Sequence, residues 1–271
     1  MSVSASALDV LRRNNVNVSG DASGRPIVFA HGFGCSQQMW RDVASGFVTD
    51  HRVVLFDHVG AGDSDLSAYD RRKYDSLHGY ADDVLEILDA LDLRDVVYVG
   101  HSVSAMVGVL AATHDPSRFG ALVLVGPSPR YLNDVGYVGG FDQADIEAML
   151  DSLDANYLGW SSAMAPVMMG NSERPELADE LTTSFCLSDP AIARHFARVT
   201  FLSDNRRDLA RVTTPTLILQ CTDDVIAPLT VGQYVHDSIA GSELVVMSAT
   251  GHCPNMSDPG QLIAQIRTHL T

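Results

Sequence analysis

The chain has 271 residues, of which 46% are hydrophobic and 19% charged, and this composition excludes disorder as its main state. Lys and Arg number 18 against 34 Asp and Glu, which gives a net charge of −16. A surface field of that sign repels phosphate backbones and anionic lipid headgroups, so neither nucleic acid nor a membrane is expected as a partner.

The N-terminal residues and the cysteines bear on location and on metals. Residues 1–15 lack the basic start and apolar run of a secretory signal, and the longest uncharged stretch, 96–113, contains His, Ser and Gly. A cytoplasmic protein without a transmembrane segment is therefore expected. None of the four cysteines, Cys35, Cys186, Cys221 and Cys253, belongs to a C-x-x-C pair. We expect reduced thiols, with neither a disulfide framework nor a metal site.

Six short runs rich in β-branched residues recur along the chain and predict buried parallel strands. They are residues 26–30, 52–57, 96–100, 121–126, 216–220 and 243–247. Between the second and third runs, the apolar residues of 80–93 follow the i, i+3, i+4, i+7 spacing of a helix. A last helix is predicted after Asp258 and Pro259, an N-cap followed by proline at the first helical position. The alternation indicates an α/β fold with a mostly parallel, twisted sheet covered by helices on both faces.

Strand signals disappear between residues 127 and 211, where amphipathic segments follow one another. These segments are 142–157, 175–185 and 190–202. Because strands resume at residue 216, we predict a helical insertion above the C-terminal edge of the sheet, where open α/β sheets bind ligands. The predicted organisation is a single domain, with a core of residues 1–127 and 211–271 and a helical lid of residues 128–210. The charged run 205–208 is interpreted as a solvated loop.

A serine lies where a nucleophile elbow would place it. Ser102 follows the strand 96–100 and precedes an apolar helix, the context in which a strained turn pushes a hydroxyl clear of the backbone. The small residue expected two positions later is Ser104 instead of glycine. The alternative interpretation is an unreactive helix N-cap serine.

A serine hydroxyl needs a base, and the base needs a carboxylate that orients it. His252 comes after the last predicted strand, and Asp223 and Asp224 come after the strand 216–220, so the chain order is Ser, acid, His. Either aspartate satisfies this pattern. An exposed loop histidine is the alternative interpretation of His252.

Acyl transfer also needs two backbone N–H donors for the developing oxyanion. Val103, directly after the nucleophile, supplies the first, and Phe33 is the natural second donor. Phe33 lies in the sequence H-G-F-G of residues 31–34, directly after the first predicted strand, and its glycines let the backbone approach a substrate.

Over nearly its whole length the chain resembles the α/β-hydrolase family. Four motifs, F-A-H-G-F-G-C (29–35), F-D-H-V-G-A-G (56–62), G-H-S-V-S-A-M (100–106) and G-P-S-P-R-Y-L-N-D (126–134), resemble one subgroup. That subgroup contains the bacterial stress-response regulator RsbQ and the plant karrikin and strigolactone receptors. Its acid pattern D-x-x-[VA]-P is matched from Asp224 to Pro228, so the resemblance selects Asp224 over Asp223.

The resemblance implies a lid of four helices over a mostly apolar pocket. By matching position it implies pocket-lining roles for Phe33, His101, Tyr131, Phe141, Trp160, Met164 and Phe196. For Met164 and Phe196, plain packing inside the lid is an equal alternative.

The predicted function is that of a serine hydrolase of esterase or lactonase type, acting without a cofactor on a small, largely apolar ester or lactone. RsbQ acts with a PAS-domain phosphatase in the bacterial energy-stress response, so the resemblance also implies a slow-turnover ligand sensor with such a partner. A carbon–carbon bond hydrolase and a cofactor-free haloperoxidase activity would use the same triad, and the sequence leaves both open.

Overall fold

The sheet has seven strands in the computed structural model, which describes residues 5–270. The strands are β1 (Asn17–Gly20), β2 (Arg25–Ala30), β3 (His51–Leu55), β4 (Val96–His101), β5 (Phe119–Val125), β6 (Thr216–Cys221) and β7 (Glu243–Met247). Their order is β1-β3-β2-β4-β5-β6-β7, and only the β1–β3 pair is antiparallel. The six predicted strands and the mostly parallel sheet are therefore confirmed. Residues 1–4 and 271 of the predicted core lie outside the described residues.

The central strands are covered on both faces. Every residue of β4 and of β6 is buried, which requires helices above and below the sheet, because successive side chains of a strand point to opposite faces. The described helices are α1 (Ala5–Arg13), α2 (Arg41–Ser45), α3 (Leu77–Ala90), α4 (Val103–His114), α5 (Gln143–Ala155), α6 (Tyr157–Met169), α7 (Pro175–Leu187), α8 (Pro190–Phe201), α9 (Arg206–Leu209), α10 (Leu229–Ser238), α11 (Pro254–Ser257) and α12 (Pro259–Leu270). Short 3-10 turns occupy Gln37–Trp40, Leu66–Ala68 and Pro116–Arg118.

Two helices show how far the apolar spacing determines burial. In α3, Val84, Ile87 and Leu88 are buried, as the predicted apolar face requires. In α12, which begins at Pro259, Leu262 and Ile266 are fully buried. No described helix is long and apolar enough to cross a lipid bilayer.

Five helices, α5 to α9, lie between β5 and β6. The predicted amphipathic segment 142–157 corresponds to α5, which ends at Ala155 because the backbone of Asn156 is not helical. The side-chain oxygen of Asn156 accepts a hydrogen bond from the amide of Gly159. Asn156 therefore ends α5 and caps α6, which the sequence analysis did not identify separately. Helices α7 and α8 each begin with a proline at the first helical position, at Pro175 and Pro190.

Two other segments differ from the predictions. Strand β1 was not predicted, because its sequence N-V-S-G has no apolar run, and all four of its residues are exposed at the sheet edge. The interpretation of residues 205–208 as a solvated loop is wrong. Residues Arg206–Leu209 form α9, and the preceding Asn205 is buried, with its amide donating to the carbonyl of Pro129 at 2.8 Å.

Candidate active site

Ser102 is the one residue between the end of β4 and the start of α4, and its backbone forms a strained turn. Its φ of 55° and ψ of −121° lie outside the helical and extended regions that ordinary residues adopt. The turn needs a residue without a side chain just before it, since a Cβ on Gly100 would lie 2.4 Å from the carbonyl oxygen of Ser104. The strand–turn–helix context predicted for a nucleophile elbow is therefore present.

Three side chains from separate chain segments meet in a line of hydrogen bonds. Ser102 Oγ lies 2.7 Å from His252 Nε2, and His252 Nδ1 lies 2.7 Å from Asp224 Oδ2. All three residues are buried. They come together because β4, β6 and β7 are parallel, so the residues that follow these strands reach the same edge of the sheet.

The carboxylate of Asp224 is held from both sides. Its Oδ1 accepts hydrogen bonds from the amides of Ile226 at 2.8 Å and Ala227 at 2.9 Å. Burial raises the pKa of this carboxyl, but His252 and the two amides together outweigh burial and hold the pKa below its ordinary value. Asp223 is exposed, and among the described residues its carboxylate accepts one side-chain hydrogen bond, from Thr250 Oγ1 at 3.5 Å. The geometry thus favours Asp224 over Asp223 as the partner of His252.

His252 is also fixed through its backbone. Its amide donates to the carbonyl of Met168 on α6 at 2.8 Å, and its carbonyl accepts from His101 Nε2 at 2.7 Å. Burial, with a smaller contribution from His252, lowers the pKa of His101 to about 3, so the His101 ring is neutral. The base is thereby tied both to the end of α6 and to the residue before Ser102.

The loop after β2 lies directly beside Ser102. A Cβ on Gly32 would lie 3.5 Å from Ser102 Cβ and 2.6 Å from His101 Nδ1, so only glycine allows this approach. The amides of Phe33 and Val103 donate to no acceptor among the described residues. Two free N–H groups next to a serine hydroxyl are the arrangement that an oxyanion hole requires.

A buried hydrogen-bond network fixes the orientation of the peptide between Gly32 and Phe33. His58 donates its amide to His31 Nε2 at 3.0 Å, so the other nitrogen of His31, Nδ1, carries the proton and donates to the carbonyl of Gly32 at 2.9 Å. The Gly32 carbonyl and the Phe33 N–H belong to one trans peptide plane and point in opposite directions. Holding the carbonyl at His31 therefore directs the N–H away from the His31 ring.

Ser104 joins this network to the elbow. Its Oγ donates to the carbonyl of His31 at 2.5 Å and lies 2.7 Å from His58 Nε2. Because Ser104 donates its hydroxyl proton to the His31 carbonyl, His58 Nε2–H must be the donor in the hydrogen bond between His58 and Ser104 Oγ. The serine that replaces the expected glycine thus connects the first turn of α4 to the loop after β2.

An enclosed cavity lies over Ser102. The space open to the centre of a water molecule is about 20 Å³, enough for about one water. Of the pocket residues predicted from the resemblance, Phe33, His101 and Tyr131 line this cavity. The hydroxyl of Tyr131 is buried without a hydrogen-bond partner in the described part of the chain, and burial raises its pKa.

The other four predicted pocket residues do not line this cavity. Trp160 and Phe196 pack against the ring of Phe33, with ring centroids 6.0 and 5.7 Å away, and therefore lie one layer further out. Met164 is half-buried on α6, where Met168, one turn later, reaches the cavity instead. Phe141 pairs through its backbone with Leu132 and is half-buried.

The sequence analysis missed most of the lid side of the cavity. The missed lining residues are Cys35, Met168, Leu181, Phe185, Thr200, Phe201, Ile226 and Cys253. Leu181 and Phe185 are one turn apart on α7, so their spacing marks an apolar face but does not say what that face covers. His31, His58 and Ser104 were missed as a network because no local pattern links them.

The comparisons with known proteins agree with this architecture. The family model described as "Alpha/beta hydrolase family" matches residues 27–266. The chain belongs to this family. A hydrolase from Oleispira antarctica has a similar structure, with a TM-score of 0.94, 42% sequence identity, and coverage of 98% of this chain and 97% of that chain. The predicted fold class and the prediction of a hydrolase are therefore confirmed.

Two plant proteins are similar to this α/β-hydrolase in sequence. A probable esterase of Oryza sativa subsp. japonica is 40% identical over 258 residues, which are 95% of each chain. The karrikin insensitive 2 receptor CA of Petunia hybrida is 38% identical over 258 residues, again 95% of each chain. These relatives agree with the plant part of the predicted resemblance, and the specific likeness to RsbQ stays a prediction.

Proposed function

We propose that the protein hydrolyses a small, largely apolar ester or lactone through a Ser102–His252–Asp224 triad. In this proposal Ser102 is the nucleophile, His252 is the base and Asp224 orients His252. The amides of Phe33 and Val103 bind the oxyanion. The proposal rests above all on the two 2.7 Å bonds that join Ser102 Oγ, His252 and Asp224.

The reaction has two balanced halves. Ser102 Oγ forms a bond to the carbonyl carbon while its proton moves to His252 Nε2, and the carbonyl electron pair becomes an oxyanion that faces the two amides. When the ester C–O bond breaks, the leaving oxygen takes that proton and an acyl-serine remains. A water then gives a proton to His252 and attacks the acyl carbon. When the bond from the acyl carbon to Ser102 Oγ breaks, His252 returns that proton to Ser102 Oγ and the acid leaves.

The neutral and apolar lining of the cavity supports an uncharged substrate. Phe33, Phe185 and Phe201 form much of the wall, and no Lys or Arg lines the cavity within the residues described. The similarity to a probable esterase also favours ester hydrolysis.

The test compares variants on p-nitrophenyl acetate. Ser102→Ala is expected to lower kcat by roughly 10⁴-fold or more with the fold intact, because only a hydroxyl is removed. Asp224→Asn is expected to lower kcat by about 10³- to 10⁴-fold, whereas Asp223→Asn, its matched control one residue away, leaves kcat within about twofold. Turnover by Ser102→Ala within tenfold of wild type would reject the nucleophile, and a larger loss in Asp223→Asn would reject Asp224.

A second candidate function is a slow-turnover ligand sensor in signalling, favoured by the 38% identity to a karrikin receptor. In this case the same triad would form the acyl-serine quickly and release it slowly. A burst of one product equivalent per protein followed by very slow turnover supports the sensor, and sustained turnover supports a metabolic enzyme. RsbQ-like stress signalling, a PAS-domain phosphatase partner and a cytoplasmic location belong to this proposal as predictions.

A further inference from the structure

The cavity at Ser102 is too small for any ester. It holds about one water molecule, whereas pockets for organic ligands typically measure about 300–1,000 Å³. If the protein is an esterase, as proposed above, part of the substrate must lie beyond the present walls of the cavity. A space next to the cavity must then receive that part of the substrate.

One apolar groove shares a wall with the cavity. It lies between α7, the residues after β2 and the short helix α11, and we call it the α7 groove; its apolar side chains are Met39, Leu181, Leu187 and Met256. About 250 Å³ of it is open to the centre of a water molecule. The other small space beside the cavity, near Phe196 and His58, measures about 10 Å³ and is too small to hold a substrate arm.

Two residues separate the cavity from the α7 groove. Cys35 and Leu181 line both the cavity and the α7 groove, and Leu181 is only 1% exposed. A rotation of the Leu181 side chain would therefore join the two spaces without moving a helix.

Contacts on either side of Leu181 hold the backbone of α7 in place. Ser184 Oγ donates to the carbonyl of Gly34 at 3.1 Å, and Arg41 Nη2 donates to Glu180 Oε2 at 3.0 Å. Positions 180 and 184 both attach α7 to the segment after β2. A side-chain movement at position 181 is therefore easier than a displacement of the helix.

The charges at the groove specify the chemistry of its occupant. Glu180 is the single charged residue of the groove lining within the described part of the chain, and the guanidinium of Arg41 pairs with it. No cation remains to bind a carboxylate or phosphate group. A neutral apolar chain fits this lining, whereas a free fatty acid head group does not.

We propose that the substrate carries a neutral apolar arm, which passes Leu181 and lies in the α7 groove while the substrate carbonyl lies at Ser102. This inference rests on the proposed esterase function and extends it to the substrate class. The arm gains the apolar contacts of Met39, Leu187 and Met256, so kcat/KM rises with chain length.

The experiment measures kcat/KM for p-nitrophenyl acetate and p-nitrophenyl octanoate. Leu187→Asp introduces a charge into the groove at a position that is 79% exposed, so the fold tolerates it. The octanoate-to-acetate ratio is expected to fall roughly tenfold or more. Val167→Asp, at an apolar residue of α6 that is 52% exposed and outside the groove, is the matched control and leaves the ratio within about twofold.

A second measurement separates this inference from the esterase proposal. Methanesulfonyl fluoride and octanesulfonyl fluoride sulfonylate a reactive serine with loss of fluoride, and the adduct on Ser102 is followed by mass spectrometry. Leu181→Ala, which opens the shared wall, is expected to raise the octane-to-methane ratio of labelling rates at least severalfold.

Unchanged ratios in both Leu187→Asp and Leu181→Ala would overturn the groove assignment, and so would an equal loss on short and long substrates in Leu187→Asp. The esterase proposal fails by a different result, namely no labelling of Ser102 and no turnover of acetate by the wild type.

Discussion

Ser104 is the residue at which the site departs from the expected glycine of the elbow, and its hydroxyl bridges His31 O and His58 Nε2. Removing the hydroxyl leaves two buried polar groups without their partner and frees the peptide that presents the Phe33 amide. Ser104→Ala is therefore expected to lower kcat roughly tenfold, which corresponds to about 1.4 kcal/mol, with KM little changed. Steady-state kinetics on p-nitrophenyl acetate measure kcat and KM separately.

Ser161→Ala provides the control for Ser104. Ser161 is equally buried, and its Oγ donates to the carbonyl of Tyr157 within α6, away from the loop after β2. Its loss is expected to change stability without a selective fall in kcat. Equal kcat values for the two variants, or an effect of Ser104→Ala on KM alone, would contradict a role in aiming the amide.

At the scale of elements, an aromatic cluster centred on Phe33 joins the loop after β2 to the lid helices. The Phe33 ring contacts Trp160 on α6, Phe185 on α7, and Phe196 and Phe201 on α8, with ring centroids 5.7 to 6.1 Å apart. Trp160 also stacks on Phe185 at 5.7 Å. The cluster therefore couples the packing of three helices to the loop that lies beside Ser102.

Trp160→Ala removes a 4% exposed ring from this cluster and is expected to destabilise the protein by about 3–5 kcal/mol. Because Trp160 lies behind Phe33 and not at the cavity, rates on acetate and octanoate esters should fall together. Thermal unfolding and the two ester rates measure both effects, and Leu158→Ala, at a 56% exposed residue of the same helix, is the control. A shifted chain-length preference at an unchanged melting temperature would instead place Trp160 at the substrate.

The sequence predicts those elements whose signal is local. Strands β4 and β6 are continuous apolar runs, and the start of α12 is marked by Asp258 and Pro259, so all three were predicted within two residues. Helix α6 has no single apolar stripe and contains Gly159 and Pro166, so only the hydrogen bond at Asn156 reveals where it begins. The hydrogen-bonded set of Ser102, His252 and Asp224 could be predicted because each residue follows a strand of the parallel part of the sheet. Much of the remaining cavity lining could not be predicted, because Leu181 on α7 and Phe201 on α8 reach the same cavity only through tertiary packing.

At the scale of the whole molecule, His31, His58 and His101 are three of the buried histidines of the described chain. Burial lowers the pKa of His31 and His101 and lowers that of His58 well below the ordinary value of 6.5. His31 and His58 face each other with ring centroids 4.6 Å apart, and Asp57 Oδ1 lies 3.9 Å from His31 Nε2, which opposes the effect of burial on His31 but is the smaller influence. All three rings are therefore neutral in the folded protein near pH 7.

This burial makes the stability of the protein depend on pH. The unfolded chain takes up protons on these rings near pH 6.5, whereas the folded protein takes them up only at lower pH, so the stabilisation is complete above about pH 6.5 and is lost as the pH falls below it. Each ring contributes up to about 1.4 kcal/mol per pH unit to the slope of the unfolding free energy against pH.

Urea unfolding between pH 7.5 and 5.0 tests this dependence. That range stays above the pH at which carboxyl groups such as Asp224 titrate, and the free energy of unfolding is expected to fall steadily below pH 6.5. His58→Gln keeps a donor for Ser104 but removes one titrating ring, so its slope should be smaller by up to about 1.4 kcal/mol per pH unit. A free energy of unfolding that stays constant from pH 7.5 to 5.0 would mean that the folded protein accepts these protons as readily as the unfolded chain, and it would contradict the lowering of these pKa values by burial.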